Sequence, residues 1–228
     1  MAGYAGFDAV IMDCQHGDTS MTEVKNVVRA AQCGGAEVLI RTWKNDPELI
    51  DRYLESGAAG ILFIDIHTKE DAARAVELVK CPPIGRRSPS GNRADLYGFA
   101  GSDPECFKKI NERAVVALMI ENRDSIENLK EIAAVPGVDL FCMGPSDLSR
   151  DLGHPGESGH PEVVEWENRA YEIAAEVGIP MDSVFRPGTM DIRQEMARGR
   201  RVMTLSLNGV VANGYREFMR GVYPDLYS

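Results

Sequence analysis

Glu121 closes the apolar run Val115-Val116-Ala117-Leu118-Met119-Ile120, and Asp147 lies in Gly144-Pro145-Ser146-Asp147-Leu148, directly behind the run Val138 to Met143. Runs of this length and β-branched content read as buried parallel strands, so each carboxylate stands where a strand leaves its sheet. Desolvating a carboxylate is costly without a cation. Two carboxylates from neighbouring strands offer hard oxygen ligands to a divalent ion, with positions left for a substrate. The first expectation is therefore a metal site at Glu121 and Asp147.

Other strand ends carry chemistry of their own: Asp13-Cys14-Gln15-His16, Arg41 after Val38-Leu39-Ile40, and Asp65 with His67. A planar guanidinium leaving a buried strand suits a carboxylate or enolate oxygen, whereas a structural role would need a dedicated acid. An aspartate in reach of one imidazole nitrogen fixes the tautomer and raises the basicity of the other, which makes His16, with Asp13 behind it, the candidate general base. Asp65 and His67 read either as a rival metal pair or as loop and capping residues of the next helix. His154 and His160 fall in the polar loop 153–161 and read as solvated. If the strands are all parallel, the series from Asp13 to Asp147 converges on one rim.

The elements that must position these residues alternate along the chain. Strands are expected at Phe7 to Asp13, Glu37 to Thr42, Gly60 to Asp65, Val115 to Glu121, Val138 to Gly144, Pro180 to Phe185 and Val202 to Leu207. Helices are expected at Met21 to Cys33, Pro47 to Ser56, Lys69 to Val79, Arg123 to Ala134, Pro161 to Val177 and Asp191 to Arg198. Asp46 before Pro47, and Thr68 three residues before Asp71, mark helix starts. Repeated strand-helix-strand units imply an α/β fold with a parallel sheet and right-handed crossovers. Seven strands is one short of a closed (β/α)8 barrel, and only six residues precede the first, so the missing unit would be the first; an open, doubly wound sheet is the alternative. The stretch from Cys81 to Cys106 has no clear period and reads as a long connector, functional or merely solvated.

The 228 residues are 44% hydrophobic, enough for a sizeable core, and one domain, 1–228, is expected. A net charge of -10 gives no general attraction to nucleic acid or anionic lipid. The five cysteines form no metal-type spacing and suit reduced thiols in a cytoplasmic protein. No window has the roughly 20 apolar residues of a membrane span. No Gly-x-Gly-x-x-Gly turn follows a strand.

Five separated segments, in order and covering nearly the whole chain, resemble the HpcH/HpaI aldolases: Phe7 to Gly17, Ile40 to Pro47, Pro82 to Ser88, Ile120-Glu121 and Gly144 to Ser149. The resemblance implies a (β/α)8 TIM barrel of the phosphoenolpyruvate/pyruvate type, assembled as a homo-oligomer, a hexamer or trimer of dimers with a swapped C-terminal helix. It implies Mg2+, Mn2+ or Co2+ on Glu121 and Asp147, Arg41 on the pyruvate oxygens, and His16 with Asp13 in the acid/base apparatus. Gly144, Pro145 and Ser146 would line the substrate, and Glu55 would reach a neighbouring subunit's site. The implied activity is metal-dependent cleavage of a 4-hydroxy-2-oxo acid to pyruvate and an aldehyde through a stabilised enolate.

Three departures from the family pattern keep alternatives open. Family members begin earlier, with a strand and helix; Met119 stands where a glutamine is expected; and Ile64-Asp65-Ile66-His67 replaces a proline-based turn. The alternatives are an oxaloacetate decarboxylase or a lyase of the macrophomate synthase kind, and a catalytically inactive barrel retained for assembly.

Overall fold

Helix starts in this chain are written in side chains. Ser20 accepts from the Glu23 amide while the Glu23 carboxylate takes the Ser20 amide, and Thr68 and Asp71 repeat the exchange. These reciprocal caps satisfy amide groups that a helix leaves open, and they start α1 (Met21–Cys33) and α3 (Lys69–Val79) at the expected residues. Asp46 accepts from the Leu49 amide, with Pro47 in the first turn, and starts α2 (Pro47–Glu55).

The computed structural model describes residues 1–88, 91–99, 101, 104–184, 191–197 and 199–224. Residues 89 and 90 of the long connector, Phe185 at the end of the sixth expected strand and Arg198 at the end of the last expected helix lie outside the described residues. Two compact units, Met1–Pro180 and Met181–Ser228, divide the chain.

The first unit holds a five-stranded, all-parallel sheet of β1 (Ala9–Asp13), β2 (Glu37–Arg41), β3 (Gly60–Phe63), β4 (Val115–Ile120) and β5 (Leu140–Met143). Their spatial order is their order in the chain. A doubly wound sheet reverses order at a switch point, so the open alternative is not what this unit adopts. The ladder continues past β5, where the Phe141 amide donates to the Pro180 carbonyl at 2.9 Å. Ile40, Ile61, Phe63, Leu118, Ile120 and Phe141 are fully buried between sheet and helices. At the β3–β4 contact only a glycine fits, because a Cβ on Gly60 would stand 2.2 Å from the Val115 carbonyl oxygen.

Several elements depart from expectation. Each expected strand of this unit is one to three residues longer than its ladder, because the residues that flank the apolar run leave the pairing. The helix expected from Arg123 to Ala134 is two, α5 (Arg123–Glu127) and α6 (Leu129–Ala133), with Asn128 between them. Inside and after the supposed connector, α4 (Pro104–Arg113) forms, and the Gly-Pro-Ser-Asp segment is not a bare turn but opens α7 (Pro145–Asp151). α8 (Pro161–Val177) has its expected bounds.

In the second unit β6 (Asp182–Val184) and β7 (Val202–Thr204) pair in parallel, with Thr204 donating to Asp182 at 2.6 Å. α9 (Ile192–Ala197) lies between them in sequence. α10 (Leu207–Val222), where the periodicity marks no helix but the resemblance implies a C-terminal one, buries none of its residues. Leu207, Val210, Val211, Tyr215, Phe218 and Val222 are exposed at spacings that make one apolar stripe.

Candidate active site

The parallel register sets out the rim. Asp13 and Arg41 are direct cross-strand partners at the C-terminal ends of β1 and β2. Ile120 pairs with Met143, so Glu121 and Gly144 are the next residues out from β4 and β5. A Cβ built on Gly144 would lie 2.6 Å from the Glu121 Cβ and 3.1 Å from its Oε2. Only the absence of a side chain at 144 lets these backbones approach so closely. That approach brings the Glu121 carboxylate against the segment that carries Asp147, three residues on.

Both carboxylates are partly exposed, and each keeps lone pairs free for a further ligand. Among the described residues Glu121 accepts one hydrogen bond, from the Asp65 amide at 3.2 Å. Asp147 is paired with Arg150 one helical turn later on α7. Two hard oxygen donors of this kind suit Mg2+, Mn2+ or Co2+, and neither is locked into a saturated network.

Arg41 and Asp13 form a forked ion pair, Nε to Oδ1 at 3.1 Å and Nη2 to Oδ2 at 2.6 Å. Asp13 also accepts the backbone amides of Gln15 at 2.9 Å and His16 at 3.1 Å. Burial alone would raise the Asp13 carboxyl, but the Arg41 hydrogen bond and these amides outweigh it and hold it below its ordinary value. Here the expectation is corrected: the acid that Arg41 requires is Asp13, and Asp13 reaches the His16 backbone rather than its ring. The His16 side chain is exposed and makes no hydrogen bond among the described residues. Arg41 keeps Nη1 unengaged among the described residues, with its side chain 22% exposed.

The rival pair of Asp65 and His67 is also placed. His67 Nε2 lies 3.0 Å from Asp65 Oδ1 and Nδ1 lies 3.1 Å from Asp124 Oδ2, so both ring nitrogens are taken by carboxylates and neither is left for a metal. Asp65 sits at φ 58, an uncommon backbone for a non-glycine, and this conformation aims its amide at Glu121. Asp124 was missed by sequence reasoning because its partner is 57 residues away in the chain. Met119, in place of the expected glutamine, is buried with its Cε against Gly144. Glu55 is half-buried at the end of α2 and engaged in further interactions.

Comparison with known proteins gives a consistent picture. The sequence model for the HpcH/HpaI aldolase/citrate lyase family matches residues 1–213. A 2-dehydro-3,6-dideoxy-6-sulfogluconate aldolase of Pseudomonas putida is 35% identical over 184 residues, covering 80% of this chain and 71% of that protein. A 5-keto-4-deoxy-D-glucarate aldolase of Salmonella newport (strain SL254) is 32% identical over 198 residues, or 86% of this chain and 76% of that one. Among solved structures, an HpcH/HpaI aldolase/citrate lyase family protein from Burkholderia cenocepacia J2315 superposes with a TM-score of 0.86 at 28% identity, covering 96% of this chain and 87% of the other.

Proposed function

The chain belongs to the HpcH/HpaI aldolase/citrate lyase family, and from that premise we propose that it is a divalent-metal-dependent aldolase cleaving 4-hydroxy-2-oxo acids to pyruvate and an aldehyde. It is an enzyme of the carbon-carbon lyase class, as its aldolase relatives are. The observation that carries the metal-dependent reading is the close packing of Glu121 on Gly144, which sets one carboxylate beside the segment bearing the other.

Glu121 and Asp147 hold the cation in this reading. When bound, Mg2+, Mn2+ or Co2+ supplies a Lewis acid for the charge that develops on the keto oxygen as the carbon-carbon bond breaks. Arg41, oriented by its forked bond to Asp13, turns Nη1 to the substrate carboxylate or to the same oxygen. His16 takes the 4-hydroxyl proton through water, and Gly144, Pro145 and Ser146 line the keto acid.

The sequential parallel strand order of the first unit favours a barrel of the (β/α)8 type. An exposed apolar stripe on α10 is a surface that a homo-oligomer would cover, a hexamer or trimer of dimers among the options. All five cysteines are thiols rather than disulfides, in keeping with a cytoplasmic enzyme, and no helix among the described residues is long and apolar enough to cross a membrane.

Pyruvate release from a 4-hydroxy-2-oxo acid should cease in EDTA and return with Mg2+, Mn2+ or Co2+, and Glu121→Gln or Asp147→Asn should weaken cation binding in calorimetry. Undiminished turnover in chelator would overturn the metal mechanism.

A further inference from the structure

The loop between α7 and α8 carries a cluster of metal-ligating groups that the aldolase site does not use. It is tied down by its own backbone: the His154 amide donates to the Ser149 carbonyl at 2.7 Å, Glu157 to His154 at 3.0 Å and His160 to Glu157 at 2.8 Å. His160 then caps α8, its Nδ1 accepting the Glu162 amide at 3.3 Å. The two imidazole rings stack with centroids 3.5 Å apart and planes 17° from parallel. His154 Nε2 lies 2.8 Å from Glu162 Oε2. One donor atom from each of the three residues falls within 4.8 Å of the others, and among the described residues this is the only such group of three His, Cys, Asp or Glu donors.

We propose that His154, His160 and Glu162 form a second metal site, for a borderline transition-metal cation of the zinc type, which pins the loop to the first turn of α8. Donors around a four-coordinate zinc, with bonds of ~2.0–2.1 Å, stand about 3.3 Å apart; the His154–Glu162 pair at 2.8 Å is on that scale, and the two imidazoles turn out of their stack to bring their lone pairs onto one ion. Two imidazoles and one carboxylate select zinc, nickel or cobalt over magnesium, unlike the all-oxygen pair of Glu121 and Asp147. His160 Nδ1 accepts the Glu162 amide in the metal-free protein, so a neutral His160 carries its proton on Nε2, and binding a cation replaces this cap hydrogen bond with a metal-ligand bond. A helix N-terminus opposes a cation, but this effect is small beside three metal-ligand bonds.

The full chain carrying Glu121→Gln and Asp147→Asn isolates this site, making the result independent of the aldolase reading. Calorimetric titration with Zn2+ should show one equivalent bound and Mg2+ none. Adding His154→Ala, or separately Glu162→Gln, should abolish the zinc equivalent while circular dichroism stays unchanged. Zn2+ should raise the melting temperature of the double variant and leave that of the His154→Ala form where it was. Because Glu162 is exposed, its variant reports even if His154→Ala loosens the loop. Failure of the double variant to bind Zn2+, or binding that survives both added substitutions, overturns the proposal.

Discussion

Both ends of the five-stranded sheet set a basic side chain among acids and carbonyls, and the two are wired differently. At the N-terminal ends of β4 and β5, the buried Lys80 ammonium donates to the Asn111 carbonyl at 2.9 Å, to the Ala114 carbonyl and to Asp139 at 2.9 Å. Asp139 also accepts the Val116 amide at 2.8 Å, and Asn111 exchanges two hydrogen bonds with the Cys81 backbone. All three Lys80 donors are used, so nothing remains for a ligand. At the C-terminal ends Glu121 accepts one hydrogen bond, Arg41 keeps a nitrogen unengaged and the His16 ring has no partner among the described residues. The proposed function puts the cation and substrate at the end that keeps donors and acceptors open.

Three substitutions or titrations sharpen or break this contrast, and the largest effect belongs to the saturated end. Lys80→Met should cost about 3 kcal/mol of stability in urea unfolding, because it strands Asp139 and two carbonyls, while cation binding stays unchanged. A stable variant with impaired cation binding would reverse the assignment of the two ends. Gly144→Ala comes next. The new methyl group must displace Glu121, so a loss of roughly 1–3 kcal/mol in stability should come with weakened Mn2+ affinity. Retention of full affinity would show that the carboxylate does not depend on that approach.

The smallest effect is expected at His67. Burial works against its charged form, but the hydrogen bonds to Asp65 and Asp124 outweigh it and raise its pKa above 6.5. A raised folded-state value means that its contribution to stability is complete below the unfolded value and is lost as pH rises through the folded one. With both acids well exposed the energy involved is small. An NMR titration should find the His67 ring protons moving above pH 6.5, and movement below it would remove the clamp between the β3 and β4 loops.

The parts of this fold legible in the sequence were those decided locally. α1, α3 and α8 have their expected bounds because side chains three residues apart or a first-turn proline announce them. α4 was hidden because its polar surface gives little period over ten residues, and α7 because Gly-Pro-Ser-Asp is a turn signal until the helix it opens is seen. At the rim, strand ends were readable from where apolar runs stop, which put Asp13, Arg41 and Glu121 at the same end of the sheet. Which acid pairs with which base was not. Asp13 chose Arg41 over the nearby imidazole because register makes them cross-strand neighbours, and His67 chose Asp124, on an element that no local pattern links to it.

Strand order that follows the chain has a consequence for synthesis. Each strand of the first unit finds its partner in the one already made, so a polypeptide leaving the ribosome can add to a growing edge without waiting for residues still to come. The slow step should be the crossover carrying α3 and α4, the longest of the four. Loop closure grows only with the logarithm of length, so a doubling adds about 0.6 kcal/mol, and the delay there is modest.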